Sequence, residues 1–242
     1  MKQTHTAPAA FIGAMETEVR LLIAALENCE KVTLHGVDFY TGILEGTPAV
    51  VVRCGIGKVN AAITTQTLID RFAPGCIVNT GIAGGVGAGL AVGDVVIGTK
   101  LAEHDFDLTP LGYAKGNVCE GDKTKPTFFE GDAALIDSLV SAAKTADPDR
   151  GVKTGVIVSG DVFVADRALK KKLAEDFGAL AAEMEGASVA HTAAHAGVPF
   201  AVLRVISDLA DGSASDSFTD FEEETAAHSS AVIRAFAKAA RI

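Results

Sequence analysis

Four carboxylates stand at the ends of apolar segments rather than inside polar stretches: Glu18, Glu183, Glu185 and Asp208. A merely solvated charge is less expected at such strand–helix junctions. A glutamate in a first helical turn can also favour the positive end of the helix dipole, so each one alone leaves a structural role open. Several together suggest acid–base chemistry at one centre. Other chemistries find less support. His191 and His195 share a spacing of i and i+4, but no glutamate or third ligand stands at zincin spacing, and no metal site is expected. No G-x-S-x-G elbow offers a nucleophilic serine. Gly57-Lys58 is followed by Val59 where a P-loop needs Ser or Thr, and the glycines from 81 to 89 do not space as a dinucleotide fingerprint. Phe218 and Phe221, at i and i+3, read first as core.

The elements that must position these carboxylates alternate along the chain. Short β-branched runs at 10–14, 49–54, 76–79, 94–99, 155–159 and 200–207 are continuously apolar, as in strands buried on both faces. Longer Ala- and Leu-rich segments at 59–72, 132–146, 166–177, 184–196 and roughly 220–241 read as helices. Asp132 and Asp166 are placed as N-caps, and Gly178 and Gly197 as C-terminal stops. Segments 34–44 and 49–54, joined around Glu45-Gly46-Thr47-Pro48, read as a hairpin. The fold class is therefore α/β, a mixed twisted sheet flanked by helices, with residues 1–242 forming one domain. Several strands end in clusters that carry Glu18, Gly55-Ile56-Gly57, Gly81-Ile82-Ala83-Gly84, Ser159-Gly160-Asp161 and Ser207-Asp208. Open α/β sheets bind ligands beyond such carboxyl ends.

Composition bounds the partners. With 31 acidic residues against 21 Lys and Arg, the chain of 242 residues carries a formal charge of −10, which argues against nucleic acid as a partner. Its longest uncharged stretch, 81–93, is glycine-rich and too short to span a bilayer. Residues 1–10 lack an apolar signal core. The four cysteines form no C-x-x-C pair, and three lie in or beside apolar runs. Buried free thiols in a reducing, cytoplasmic compartment are expected.

Taken in order, Gly13-Ala14-Met15-Glu16-Thr17-Glu18-Val19, Gly55-Ile56-Gly57-Lys58-Val59, Asn79-Thr80-Gly81-Ile82-Ala83-Gly84-Gly85, Val158-Ser159-Gly160-Asp161, Glu183-Met184-Glu185 and Arg204-Val205-Ile206-Ser207-Asp208 resemble the 5′-methylthioadenosine/S-adenosylhomocysteine nucleosidases of the nucleoside phosphorylase superfamily. The resemblance runs from about Phe11 to the C-terminal helix. It implies hydrolysis of the N-glycosidic bond between adenine and a 5′-thio-substituted ribose, with no cofactor. By position, Asp208 would protonate adenine N7, which requires it to titrate about three pH units above the ordinary ~3.9. Ser207 would orient it. Glu18 would take a proton from the attacking water, an arrangement parallel to inverting glycosidases. Glu185, ionised, would bind the ribose hydroxyls and Met184 would pack under the sugar. Phe163 would stack on adenine and Val164 read its edge. Met15 and Ile56 would line the sugar and 5′-thio end, with Phe218 on a lid segment at 212–218. For Arg204 and Glu183 a supporting role and direct contact are both open. Ile82 stands where many relatives carry a small hydroxyl residue. Leu111 lies in the segment 108–113, which matches the part of the 5′ pocket lent by the neighbour in a homodimer. The rival readings are a purine nucleoside phosphorylase, a nucleosidase for futalosine-type nucleosides or 5′-deoxyadenosine, and an adenosine-binding sensor. A phosphorylase would need a phosphate site, which Ile82 and Glu18 oppose. A sensor would have no need of Glu18, Glu185 and Asp208 together.

Overall fold

Alternation of side chains along a strand sends successive residues to opposite faces, so an unbroken apolar run needs cover on both. The computed structural model, which describes residues 7–210 and 214–240 except the side chains of 214–218, meets that requirement with helices on either side. In chain order the elements are β1 (Ala9–Gly13), α1 (Glu16–Ala24), β2 (Glu27–Leu34), β3 (Val37–Leu44), β4 (Thr47–Arg53), α2 (Lys58–Phe72), β5 (Cys76–Gly85) and β6 (Val95–Glu103). A single 3₁₀ turn (Thr109–Leu111) precedes β7 (Phe129–Glu130), α3 (Ala133–Ala146), β8 (Val152–Ser159), α4 (Arg167–Phe177), β9 (Ala179–Glu183), α5 (Gly186–Ala196), β10 (Phe200–Asp208) and α6 (Ala214–Ala239). In β1, Phe11 faces a layer that includes Leu22 of α1, Leu139 of α3 and Phe236 of α6. Its neighbours Ala10 and Ile12 face the opposite layer, with Ala61 and Leu68 of α2 and Ala190 of α5.

The sheet is mixed, as expected. Strands β4, β1, β5 and β10 run parallel, and so do β6, β8 and β9. The two groups meet antiparallel at β10–β6 and at β5–β9. Because β5 pairs with β10 as well as β9, the five strands β5, β10, β6, β8 and β9 close on themselves, and β1, β4, β3 and β2 extend from β5 as an open wing. Closure requires strands to tilt and curl. Long β5 does so through its glycine-rich end, where Gly84 and Gly85 pair with Ala182 and Ala181.

Local signals explain the helix ends. Asp132 Oδ1 accepts from Leu135 N–H at 2.9 Å and Asp166 Oδ1 from Leu169 N–H at 2.8 Å, while Gly178 and Gly197 end their helices in the left-handed region. The expected hairpin is β3–β4, with the tighter turn Glu45-Gly46. Helix α1 and the two-residue strand β7 are not among the segments expected from sequence, and three further elements depart from expectation. Strand β2 is polar and exposed, with no apolar periodicity to mark it. Strand β9 is Ala-rich, and the helix expected from 184 starts after it, at Gly186. Helix α6 begins at Ala214, before the expected 220. The cysteines also differ: all four are free, but only Cys54 is buried, while Cys29 and Cys119 are exposed. Cys29 lies in the polar edge strand and Cys119 in a loop, so neighbouring apolar residues do not cover them. Among the described residues no helix is long and apolar enough to cross a membrane.

Candidate active site

A cleft with a cavity volume of about 120 Å³ opens where β1, β5, β9 and β10 end. Glu18, Glu183, Glu185 and Asp208 all line it, with Met15, Ile56, Ile82, Phe163, Val164, Met184 and Ser207. The tertiary structure thus brings together segments more than 190 residues apart in sequence, from Ala14 to Asp208.

Each carboxylate has its own surroundings. Glu18 sits in the first turn of α1, and its Oε2 accepts from Ala14 N–H at 2.7 Å and Met15 N–H at 2.9 Å. Its Oε1 accepts from Ile82 N–H at 3.1 Å. Burial pushes its titration above the ordinary glutamate value, opposed by the Arg204 charge and these three backbone donors. The result is a carboxylate held rigidly and made more basic. A Cβ at Gly81 would lie 2.3 Å from Glu18 Oε1, so only glycine leaves room for the carboxylate there.

Asp208 closes β10 at a register shift between Ile206 and Asp208 against β5. Its Oδ2 accepts from Ser207 Oγ and its Oδ1 from Ala210 N–H, each at 2.9 Å. It is 1% exposed. A Cβ on Gly84 would meet Asp208 Oδ1 at 3.1 Å. Glu18 and Asp208 therefore abut β5 three residues apart, roughly 10 Å along an extended strand.

Glu185 precedes α5, and Gly57 N–H donates to its Oε1 at 2.8 Å. Burial first, then the neighbouring Glu183 charge, pushes it up to about 8. Burial thus favours the protonated form of Glu185 in the free pocket. Glu183, the next carboxylate, is surrounded by donors. Arg204, Ser159 Oγ and the Glu185 and Gly186 N–H groups all donate to it, the Gly186 bond to Oε2 being 2.8 Å.

Arg204 does not line the cleft. It is 2% exposed in the middle of β10, bonded to Glu183 and to Asn79, whose own Nδ2 donates to Ile12 O at 2.9 Å. This places it as a buried cation behind Glu18, Glu183 and Glu185. Asn79 and Ser159 sit within the sequence patterns noted above, but nothing in their residue type distinguishes a buried hydrogen-bonding role from a turn. His191 Nδ1 lies 3.1 Å from Glu103 Oε1 and its ring stacks on Phe129, while His195 is exposed, so the two histidines do not converge. Leu111 is 70% exposed on the 3₁₀ turn, apart from the cleft of its own chain. The Phe218 side chain and the first residues of the segment 212–218 lie outside the described residues.

A family model described as the phosphorylase superfamily matches residues 8–238. A 5′-methylthioadenosine/S-adenosylhomocysteine nucleosidase of Halalkalibacterium halodurans is 42% identical over 225 residues, covering 93% of this chain and 95% of the relative.

The chain belongs to the phosphorylase superfamily, among its 5′-methylthioadenosine/S-adenosylhomocysteine nucleosidases.

Solved structures of such nucleosidases agree in fold. That from Neisseria meningitidis, in complex with methylthio-immucillin-A, superposes with a TM-score of 0.90 at 41% identity, covering 97% of this chain and all of that one. That from Colwellia psychrerythraea, in complex with adenine, gives 0.90 at 34% identity, covering 96% and 95%. Of the four carboxylates that line the cleft, Glu18 and Asp208 are the most enclosed, at 4% and 1% exposed.

Proposed function

We propose that this chain hydrolyses the N-glycosidic bond of 5′-methylthioadenosine and S-adenosylhomocysteine, releasing adenine and the 5′-thioribose. The observation that carries the proposal is the pair of separately anchored carboxylates, Glu18 and Asp208, in one apolar cleft. Asp208, oriented by Ser207, protonates adenine N7 and makes the base a better leaving group. Glu18, pointing from the α1 side, takes the proton of the attacking water. Glu185 meets the ribose hydroxyls, Met184 packs under the sugar, and Glu183 with Arg204 keeps Glu185 in place. Phe163 stacks on adenine and Val164 reads its edge through the backbone. Met15, Ile56 and the apolar Ile82 line the sugar side, and Ile82 offers no hydroxyl to a phosphate. By the family resemblance, Phe218 is assigned to the 5′ end.

We read residues 1–242 as one nucleoside phosphorylase-like domain, acting in the cytoplasm as a homodimer whose partner adds Leu111 to the 5′ pocket. The exposed apolar residues Ile56, Val59, Ile63 and Leu111 support that assembly, since a monomer gains nothing by presenting them to water. Sedimentation at high salt tests it: an apolar interface keeps the dimer, and dissociation rejects it. The decisive assay is adenine release from methylthioadenosine in phosphate-free buffer, with adenosylhomocysteine, 5′-deoxyadenosine, aminodeoxyfutalosine and inosine as competing substrates. Release only when phosphate is added would make the protein a phosphorylase.

A further inference from the structure

Two walls of the cleft belong to segments that share no strand pairing. One is the turn after β4, with Ile56, and the other is the loop after β8, with Val162, Phe163 and Val164. What joins them is the first turn of α2. That helix starts at Gly57 with no side-chain cap of its own, leaving N–H donors that need acceptors. The acceptors come from elsewhere: Gly57 N–H donates to Glu185 Oε1 at 2.8 Å and Lys58 N–H to Asp161 Oδ1 at 2.8 Å. One helix terminus thus holds a cleft carboxylate and the root of the Phe163 loop, both on the positive end of the helix dipole.

The Lys58 side chain closes the same circuit from behind. Its Nζ donates to Asp105 Oδ1 at 2.6 Å and to Glu103 Oε2 at 3.0 Å, both at the end of β6. Asp105 Oδ2 in turn accepts from Asp161 N–H at 2.9 Å. Lys58 is therefore bonded to Asp161 directly through its backbone and indirectly through Asp105. The lysine head is 17% exposed and Glu103 12%, so water screens these pairs weakly. Without the ammonium, Glu103 keeps His191 at 3.1 Å and Asp105 keeps the Asp161 N–H, but the side-chain tie from α2 to the end of β6 and the Asp161 loop is lost.

We propose that Lys58 is a positioning residue for nucleoside binding, setting the spacing between the Ile56 turn and the Phe163 loop through Asp105 and Asp161. This rests on the reading of the cleft as a nucleoside site. Lys58 touches no reacting atom, so its loss acts on binding more than on the chemical step.

The test is steady-state hydrolysis of methylthioadenosine by the full chain, with adenine binding measured directly by calorimetry. Lys58→Met should raise KM and weaken adenine binding about tenfold, with kcat within about threefold. Lys58→Arg, which keeps the cation, should fall closer to wild type. Asp161→Ala should raise KM alike, and the Lys58→Met/Asp161→Ala double variant should cost less than the product of the single effects. Unchanged KM in Lys58→Met, a fall in kcat alone, or multiplicative effects in the double variant overturn the inference. If Lys58→Met fails to fold, Glu103→Gln/Asp105→Asn/Lys58→Met removes the carboxylate charges as well and is read by the same criteria. Wild-type protein that releases no adenine condemns the functional reading instead, whereas an active wild type with an unaffected variant condemns only the role of Lys58.

Discussion

Glu185 makes folding itself pH-dependent, with a sign opposite to that of an ordinary salt-bridged carboxylate. Its ordinary value of 4.5 is pushed up to about 8 by burial and by Glu183. The folded protein therefore binds a proton that the unfolded chain releases above 4.5. The stabilisation is fully present below about pH 4.5 and is lost progressively as the pH rises through 8. A difference of about 3.5 pH units corresponds to roughly 5 kcal/mol at ~1.4 kcal/mol each, an upper bound that structural relaxation reduces. Glu185→Gln is isosteric, never charges, and keeps an oxygen to accept from Gly57 N–H. Wild type and variant should unfold alike near pH 5, and by pH 9 the variant should be the more stable. At ~2–4 °C per kcal/mol for a chain of this size, the gap should reach about 10 °C in Tm. Comparing the two proteins leaves mainly the Glu185 contribution together with its coupling to Glu18, which burial also raises. The measurement is thermal or urea unfolding of both proteins at intervals from pH 5 to pH 9. Parallel stability curves across that range would refute the reasoning, because Glu185 would then ionise as easily folded as unfolded.

Three further outcomes follow from the same geometry. Glu18→Gln and Asp208→Asn should each keep adenine binding by calorimetry and lose about 10²–10⁴-fold in kcat, as expected for a lost general base or acid; full turnover in either removes that residue from the mechanism. Gly81→Ala places a carbon 2.3 Å from Glu18 Oε1 and should cut kcat at least about 100-fold, with about 1–3 kcal/mol of stability lost to overpacking. Retained activity there would show that Glu18 has room to move. Arg204→Met strands buried Glu183 and should cost about 3–5 kcal/mol in urea unfolding, partly recovered by adding Glu183→Gln; a loss under 1 kcal/mol would contradict the placement.

Much of the frame was legible from local physics. The apolar runs became buried strands because they are short, β-branched and covered on both faces by helices, and Asp132, Asp166, Gly178 and Gly197 cap helices by interactions within a few residues. Where local signals fall silent, the reading slipped. Strand β2 is held only by pairing with β3, its residues being polar and exposed. Strand β9 is built of alanines, good helix formers, and is a strand because β8 and β5 both offer it ladder partners.

The site divides the same way. By itself the sequence determined the α/β class, the order of its segments and the candidate carboxylates, because those depend on residue type and near neighbours. It could not say that Glu183 pairs with buried Arg204 while burial raises the titration of Glu185, two residues away. Only the tertiary structure decided that, together with the gap that Gly81 leaves for Glu18 and the hold of α2 on two walls of the cleft. Charge state and reach depend on what lies within a few ångströms in space, and those neighbours come from strands far apart along the chain.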